Sequence, residues 1–159
     1  MATVRRAKPR DAGDVLRLLE ELGRPPVADD PGQQRAVYLD HLVADDGAVF
    51  VAEEVGGVAG VASLWIPPRL NWTTPEGWVP DLYVAERYRR WGLARALLDA
   101  CVREAKRRGC LPKQSKPPGE GWPSLGGLLE SGHQREAVHR LYERYGFVHG
   151  GRTYGLPLP

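Results

Sequence analysis

Two β-type runs, residues 48–54 (AVFVAEE) and 58–66 (VAGVASLWI), stand on either side of Val55-Gly56-Gly57. Valine-rich runs joined by so short a glycine-bearing turn read as an antiparallel hairpin. This pairing lies in mid-chain and constrains what surrounds it. Upstream, residues 3–8 alternate weakly and read as an opening strand. Pro9-Arg10-Asp11 then begins a helix that Asp11 can cap, with Val15, Leu18, Leu19 and Leu22 at i, i+3, i+4 and i+7. Residues 23–32 are a Pro/Gly/Asp connection and 33–44 a weaker helix. Downstream, residues 78–84 (WVPDLYV) predict a strand with Pro80 inside it. A long helix over 92–108 follows, with Leu93, Ala96, Leu97, Ala100 and Cys101 on its buried face. Then come a short strand, a last helix marked by Val138, Leu141, Tyr142 and Tyr145, and closing strands over 147–148 and 152–158. This order is mixed α/β with an antiparallel centre. It excludes a doubly wound sheet, which needs strict strand–helix alternation.

The chain has 159 residues, of which 42% are hydrophobic and 26% charged, as expected of one globular domain with a proper core. No run approaches the roughly eighteen apolar residues of a membrane span. The charged N-terminus has no apolar signal core, so a cytoplasmic protein is expected. Cys101 and Cys110 carry neither CxxC nor His-partner spacing, which excludes a disulfide scaffold and argues against zinc.

The net charge of +2 divides unevenly. Residues 87–108 hold eight basic side chains against two acidic ones, and the remainder of the chain is net negative. A positive zone on a mildly acidic body suits an anionic small ligand; a nucleic-acid protein is usually basic more widely. Residues 111–127 (LPKQSKPPGEGWPSLGG) fit none of the elements above and read as a Pro/Gly-rich insertion.

The positive zone opens on a turn, Arg89-Arg90-Trp91-Gly92-Leu93-Ala94, between the end of a strand at Val84 and the start of the long helix. The first N–H groups of a helix have no partner within it and lie at its positive end. Arginines flank them, and Gly92 and Ala94 are small enough to admit a ligand to the backbone. This is a device for binding phosphate. It is not a Walker A loop, lacking Gly-Lys-Ser/Thr, nor a Rossmann fingerprint, lacking G-x-G-x-x-G.

Taken together, this turn, the preceding DLYV, the following ARALL, the later AVHRLYERYGF and the opening VRRAKPRDAGD resemble the GNAT superfamily of N-acetyltransferases. That family's acetyl-CoA signature is Gln/Arg-x-x-Gly-x-Gly/Ala after a strand. The resemblance covers the chain apart from 111–127. It implies a single domain over 1–159 with a mostly antiparallel sheet of six to seven strands, about four helices and a splayed strand pair. It also implies acetyl-CoA as co-substrate and a primary amine, on a small molecule or a protein, as acceptor.

Carried onto these residues, the resemblance gives Arg89, Arg90, Trp91, Gly92, Leu93, Ala94 and Arg95 to the CoA pyrophosphate. It lays the pantetheine arm along Leu82, Tyr83 and Val84 as an added strand, with a backbone N–H near Tyr83 or Val84 as oxyanion donor. Tyr142 is the acid for the thiolate and Asp81 the general base, with Glu53, Glu54, His133 and His139 as alternatives. Many relatives have an Asn near the start of the last helix. His133, Gln134 or Arg135 stands there instead, and Arg135 has the reach for the phosphates. Trp65, Trp72 and Trp78 offer an aromatic wall to an acceptor. Homodimers are common in the family, and the tail RTYGLPLP could close a sheet within the chain or across a dimer. Two other readings are a CoA-binding module without turnover and a nucleic-acid binder using the arginine-rich helix, which the acidic remainder disfavours.

Overall fold

The computed structural model describes residues 2–68, 70, 75–110, 127–129 and 136–146, with backbone alone at 127–129 and 136–138. The chain runs β1 (Thr3–Arg6), α1 (Ala12–Leu22), α2 (Pro31–Val43), β2 (Gly47–Glu54), β3 (Gly57–Trp65), β4 (Gly77–Val79), β5 (Leu82–Val84), α3 (Leu93–Arg107), β6 (Gly127–Leu129) and α4 (Glu136–Tyr145). Among the described residues the sheet has six strands in the order β1-β2-β3-β4-β6, with β5 pairing β3 beyond β4. Every pairing is antiparallel except β4 with β6. The mixed α/β class and the hairpin follow the sequence. The strand expected over 78–84 is instead two short strands. The insertion up to residue 126, the closing strands and the dimer contact tied to them lie outside the described residues; Gly127 belongs to β6.

Helices cover both faces of the sheet, which explains why β2 is apolar without alternation. Ala48, Phe50 and Ala52 face the layer of α3; Val49 and Val51 face that of α1 and α2. Ala12, Val15, Leu18 and Leu22 bury one stripe of α1, and Gly23 ends it at φ +103°. Asp11 does not cap α1. Its carboxylate takes the Lys8 N–H at 2.7 Å and the guanidinium fork of Arg5 at 2.7 and 2.9 Å. Arg5 also reaches Glu53 on β2, so one partly buried cation joins β1, β2 and the entry to α1. Its hydrogen bonds hold the Asp11 carboxyl below its usual range. Asp30 caps α2 instead, accepting the Gln33 N–H at 3.0 Å.

On α3 the expected stripe is broader than the sequence suggested. Leu97, Leu98 and Cys101 are fully buried, whereas Ala96 is half-buried. The reason is that α3 is covered on two sides, by the sheet and by α4, whose Tyr142 and Tyr145 pack on the same core. No helix among the described residues is long and apolar enough to cross a membrane.

The far end of α3 corrects the charge reading. Glu104 is 8% exposed and accepts hydrogen bonds from Arg6, Arg107 and Arg108, while Arg108 also donates to the carbonyls of Asp45 and Gly47. Of the eight basic residues in the positive zone, Arg107 and Arg108 are therefore engaged by Glu104; Arg108 also ties α3 to the entry of β2, and Arg6 makes the link to β1. The hydrogen bond from Arg107, then those from Arg108 and Arg6, hold the Glu104 carboxyl well below its ordinary value of 4.5. A depressed carboxylate stabilises the fold above its unfolded value, and that stability is lost as pH falls through and below it. Glu104→Gln is expected to lower stability at pH 7 by on the order of 2 kcal/mol. The gap to wild type should narrow as pH falls below 4.5. Urea unfolding at pH 7 and pH 3 checks this, and a gap independent of pH would contradict it.

Candidate functional site

Pro80 and Asp81 break the strand between β4 and β5. Proline has no N–H for a ladder, so pairing stops there and resumes at Leu82. Side chains take over the polar groups at the break. Arg24, just past the end of α1, donates Nη2 to the Pro80 carbonyl and Nε to Asp81 Oδ1, both at 2.9 Å. Ser63 on β3 donates Oγ to Asp81 Oδ2 at 2.7 Å and its N–H to the Asp81 carbonyl at 3.0 Å. Asp81 is 19% exposed. Oδ1 is filled by Arg24; Oδ2 carries one bond and keeps room for another donor.

The two strands on either side of the break differ in their pairing. Gly77, Trp78 and Val79 align with Gly127, Leu128 and Leu129. No described strand pairs with the outer edge of β5. Its inner edge follows β3, with Gly60, Val61 and Ala62 opposite Val84, Tyr83 and Leu82. The bonds from Ser63 N–H to Asp81 O and from Ala85 N–H to Ala59 O fix which residues face inwards. By alternation, Tyr83 turns its N–H and carbonyl to β3, while Leu82 and Val84 turn theirs to the open edge. The sequence left the oxyanion donor open between Tyr83 and Val84; this register puts only the Val84 N–H outside. The Val84 carbonyl already accepts Arg89 Nε at 3.2 Å.

The basic turn lies at the end of this edge. Arg89 folds back, with its guanidinium 5.5 Å from the Tyr83 ring centre and Nη2 donating to the Tyr83 hydroxyl at 3.3 Å. Arg90 sits at φ +69° and Gly92 at φ +79°, immediately before Leu93 opens α3. The N-cap position is Gly92, which has no side chain to cap the helix start. A Cβ built on Gly92 would meet nothing within 4 Å. Among the described residues, space is therefore open beside Gly92, next to the N–H groups of the first turn of α3, where an anion can be bound. Trp91 projects with 63% of its surface exposed.

Leu82, Val84, Leu93, Ala94 and Tyr142 pack against one core, on the α3 side of the sheet. Tyr83 packs on the opposite side. Tyr145 donates its hydroxyl to Asp99 at 2.6 Å, and burial followed by that bond pushes its phenol well above its usual range. It fastens α4 to α3, with Tyr142 one turn before it. Glu53 is held by Arg5, whose hydrogen bond lowers its carboxyl, two strands away from β5. Trp65 and Trp78 form a tilted pair 5.5 Å apart, and Trp65 donates to Asp46 at 3.0 Å. Trp72, His133 and Arg135 lie outside the described residues. Two open depressions, one beside Arg6 and Glu104 and one beside Asp14, Arg17 and Glu86, do not include the β5 edge.

Comparison with known proteins agrees with this geometry. An acetyltransferase (GNAT) domain model matches residues 45–149. An N-alpha-acetyltransferase of Sulfurisphaera tokodaii is 34% identical over 79 residues, which is 43% of this chain and 45% of that protein. Less than half of that relative is therefore matched. Among solved structures, glucosamine-6-phosphate N-acetyltransferase from Arabidopsis thaliana superposes with a TM-score of 0.76 at 18% identity, over 100% of this chain and 99% of the other. AAC(6')-Iy, in complex with the bisubstrate analogue CoA-S-monomethyl-acetylneamine, gives 0.77 at 19% identity with the same coverage. These structures share the fold. The chain belongs to the GNAT acetyltransferase family, and its sheet is the mixed α/β sheet of that family.

Three residues that shape this site gave little or no sign in the sequence. Arg24 and Ser63 belong to no motif. Gly60 had a local sign, since a glycine inside a valine-rich strand marks close approach of another backbone. A Cβ there would lie 2.9 Å from the Tyr83 carbonyl oxygen, 3.1 Å from Val84 and 3.2 Å from Leu97. Gly60→Ala should therefore push β5 and α3 off β3 and cost about 1–3 kcal/mol in urea unfolding. A loss below about 0.5 kcal/mol would show that the contact relaxes freely.

Proposed function

We propose that the chain is an acetyl-CoA-dependent N-acetyltransferase that acts on a primary amine. The observation that carries this reading is the outward-facing edge of β5 running into an arginine-flanked helix start with glycine at its N-cap. An extended amide chain can bond to the outward groups of Leu82 and to the Val84 N–H as an added strand would. A diphosphate fits the N–H groups at Gly92, Leu93, Ala94 and Arg95, with Arg89, Arg90 and Trp91 around it. Arg135 is the further residue that the family resemblance assigns to it.

Acetyl-CoA supplies the acetyl thioester, and the protein supplies three groups around it. The Val84 N–H is a donor to an oxygen that takes on negative charge. A phenol, whose unperturbed pKa is about 10, is a suitable acid toward a thiolate, and Tyr142 supplies one. Asp81 is the proton acceptor for the incoming amine. Its second oxygen has room for a water, which favours a relay over direct contact. The acceptor approaches on the side of the break that carries Trp65, Trp78 and Arg24. Because the sequence relative is named an N-alpha-acetyltransferase, a peptide with a free N-terminus is the first acceptor to test. The CoA-binding module without turnover is the alternative that the same test decides.

Calorimetric titration of the wild type with acetyl-CoA is expected to show one saturable site. Gly92→Glu should weaken it more than about tenfold, since charge and bulk enter the open space above the turn. Retained affinity would move the phosphate site elsewhere. Tyr142→Phe should lower kcat for CoA release with a peptide amine at least about a hundredfold, with acetyl-CoA affinity unchanged. An unchanged kcat would remove Tyr142 from the chemistry. Binding of acetyl-CoA without CoA release for any amine would favour the module.

A further inference from the structure

We infer that Trp91 is a platform for the purine base of coenzyme A, and that this chain therefore selects nucleotide-bearing donors over donors carried on phosphopantetheine alone. The inference rests on the acetyl-CoA reading above and adds a role for one side chain. Trp91 is the most exposed of the described tryptophans, at 63% against 39% for Trp65. Leaving an indole in water forgoes burial energy that a partner would recover.

The backbone holds it there at further cost. Trp91 lies between Arg90 at φ +69° and Gly92 at φ +79°. Arg90 is the one non-glycine residue with positive φ among the described residues. An L-residue in that region is strained, and such strain persists where surrounding contacts enforce it. Here Arg89 anchors one side by its bonds to Val84 and Tyr83. On the other side, α3 begins with the Ala96 N–H bonded to the Gly92 carbonyl. The indole is itself oriented by an edge contact with Tyr88, at 5.7 Å between centroids and 80° between planes, and Tyr88 carries the Arg87 guanidinium at 4.7 Å. An exposed, oriented aromatic surface therefore stands one residue from the groups that would hold a diphosphate, among Arg87, Arg89 and Arg90. A planar base linked to that diphosphate is the ligand that satisfies both. Base–aromatic stacking is tolerant of base identity and strong enough to matter for affinity.

The test is calorimetry on the full chain with CoA, 3′-dephospho-CoA and 4′-phosphopantetheine, for wild type, Trp91→Ala and Trp91→Phe. Trp91→Ala should weaken CoA and 3′-dephospho-CoA by about tenfold and leave 4′-phosphopantetheine unchanged. Trp91→Phe should restore most of the loss. CoA should also quench the tryptophan fluorescence of wild type more than that of Trp91→Phe. Equal weakening of all three ligands by Trp91→Ala would mean that the indole only supports the loop, and unchanged CoA affinity would mean that it plays no part; either overturns the inference while acetyl-CoA binding stands. No CoA binding by folded wild type would overturn the acetyl-CoA reading, and this inference with it.

Discussion

A proline in what would otherwise be one edge strand organises this molecule. Pro80 removes a ladder donor, and the chain answers with a two-residue break that Arg24 and Ser63 hold by four hydrogen bonds. Before the break, β4 accepts a parallel neighbour. After it, β5 is bonded to β3 alone among the described strands and turns the backbone N–H groups of Leu82 and Val84 outwards. An unpaired strand edge is a liability unless something is meant to fill it. The turn that follows, with two left-handed residues and a glycine at its N-cap, continues the same logic. In the proposed function its donors serve a partner from outside the chain.

With no second neighbour for β5 among the described strands, other contacts keep it in place. Gly60 lets it lie close to β3, with Leu97 of α3 directly beneath. Arg89 clasps it from the end through the Val84 carbonyl and the Tyr83 ring. On the far side of the molecule, the networks around Arg5 and Glu104 bind β1 to its neighbours and to α3. The site edge is therefore open while the sheet behind it is fastened by charge-assisted bonds, which are stronger and more directional than neutral ones.

Much of this was legible in the sequence, and for physical reasons. The hairpin and α1 announce themselves through glycine placement and a regular apolar stripe, which are local signals. The basic turn at 89–94 is local as well, since it needs only arginines, a glycine and a helix start. What was hidden depends on contacts distant in sequence. Arg24 meets Asp81 across 57 positions and Arg6 meets Glu104 across 98. Asp11 had a good capping residue's identity but was taken by Arg5 instead. The broader buried face of α3 follows from α4 packing on it, which no single-helix periodicity can reveal. Which of the Tyr83 and Val84 N–H groups faces the outer edge required the register with β3, and a shift of one residue would have reversed it.

The account turns on the outer edge of β5, so amide hydrogen exchange resolved by residue tests it most directly. In the free protein the Leu82 and Val84 amides should exchange fast and the Tyr83 amide slowly. Saturating acetyl-CoA should slow Leu82 and Val84 and leave Tyr83 unchanged. Slow exchange at Leu82 and Val84 without ligand, or no change at either on adding it, would contradict an edge held open for the cofactor.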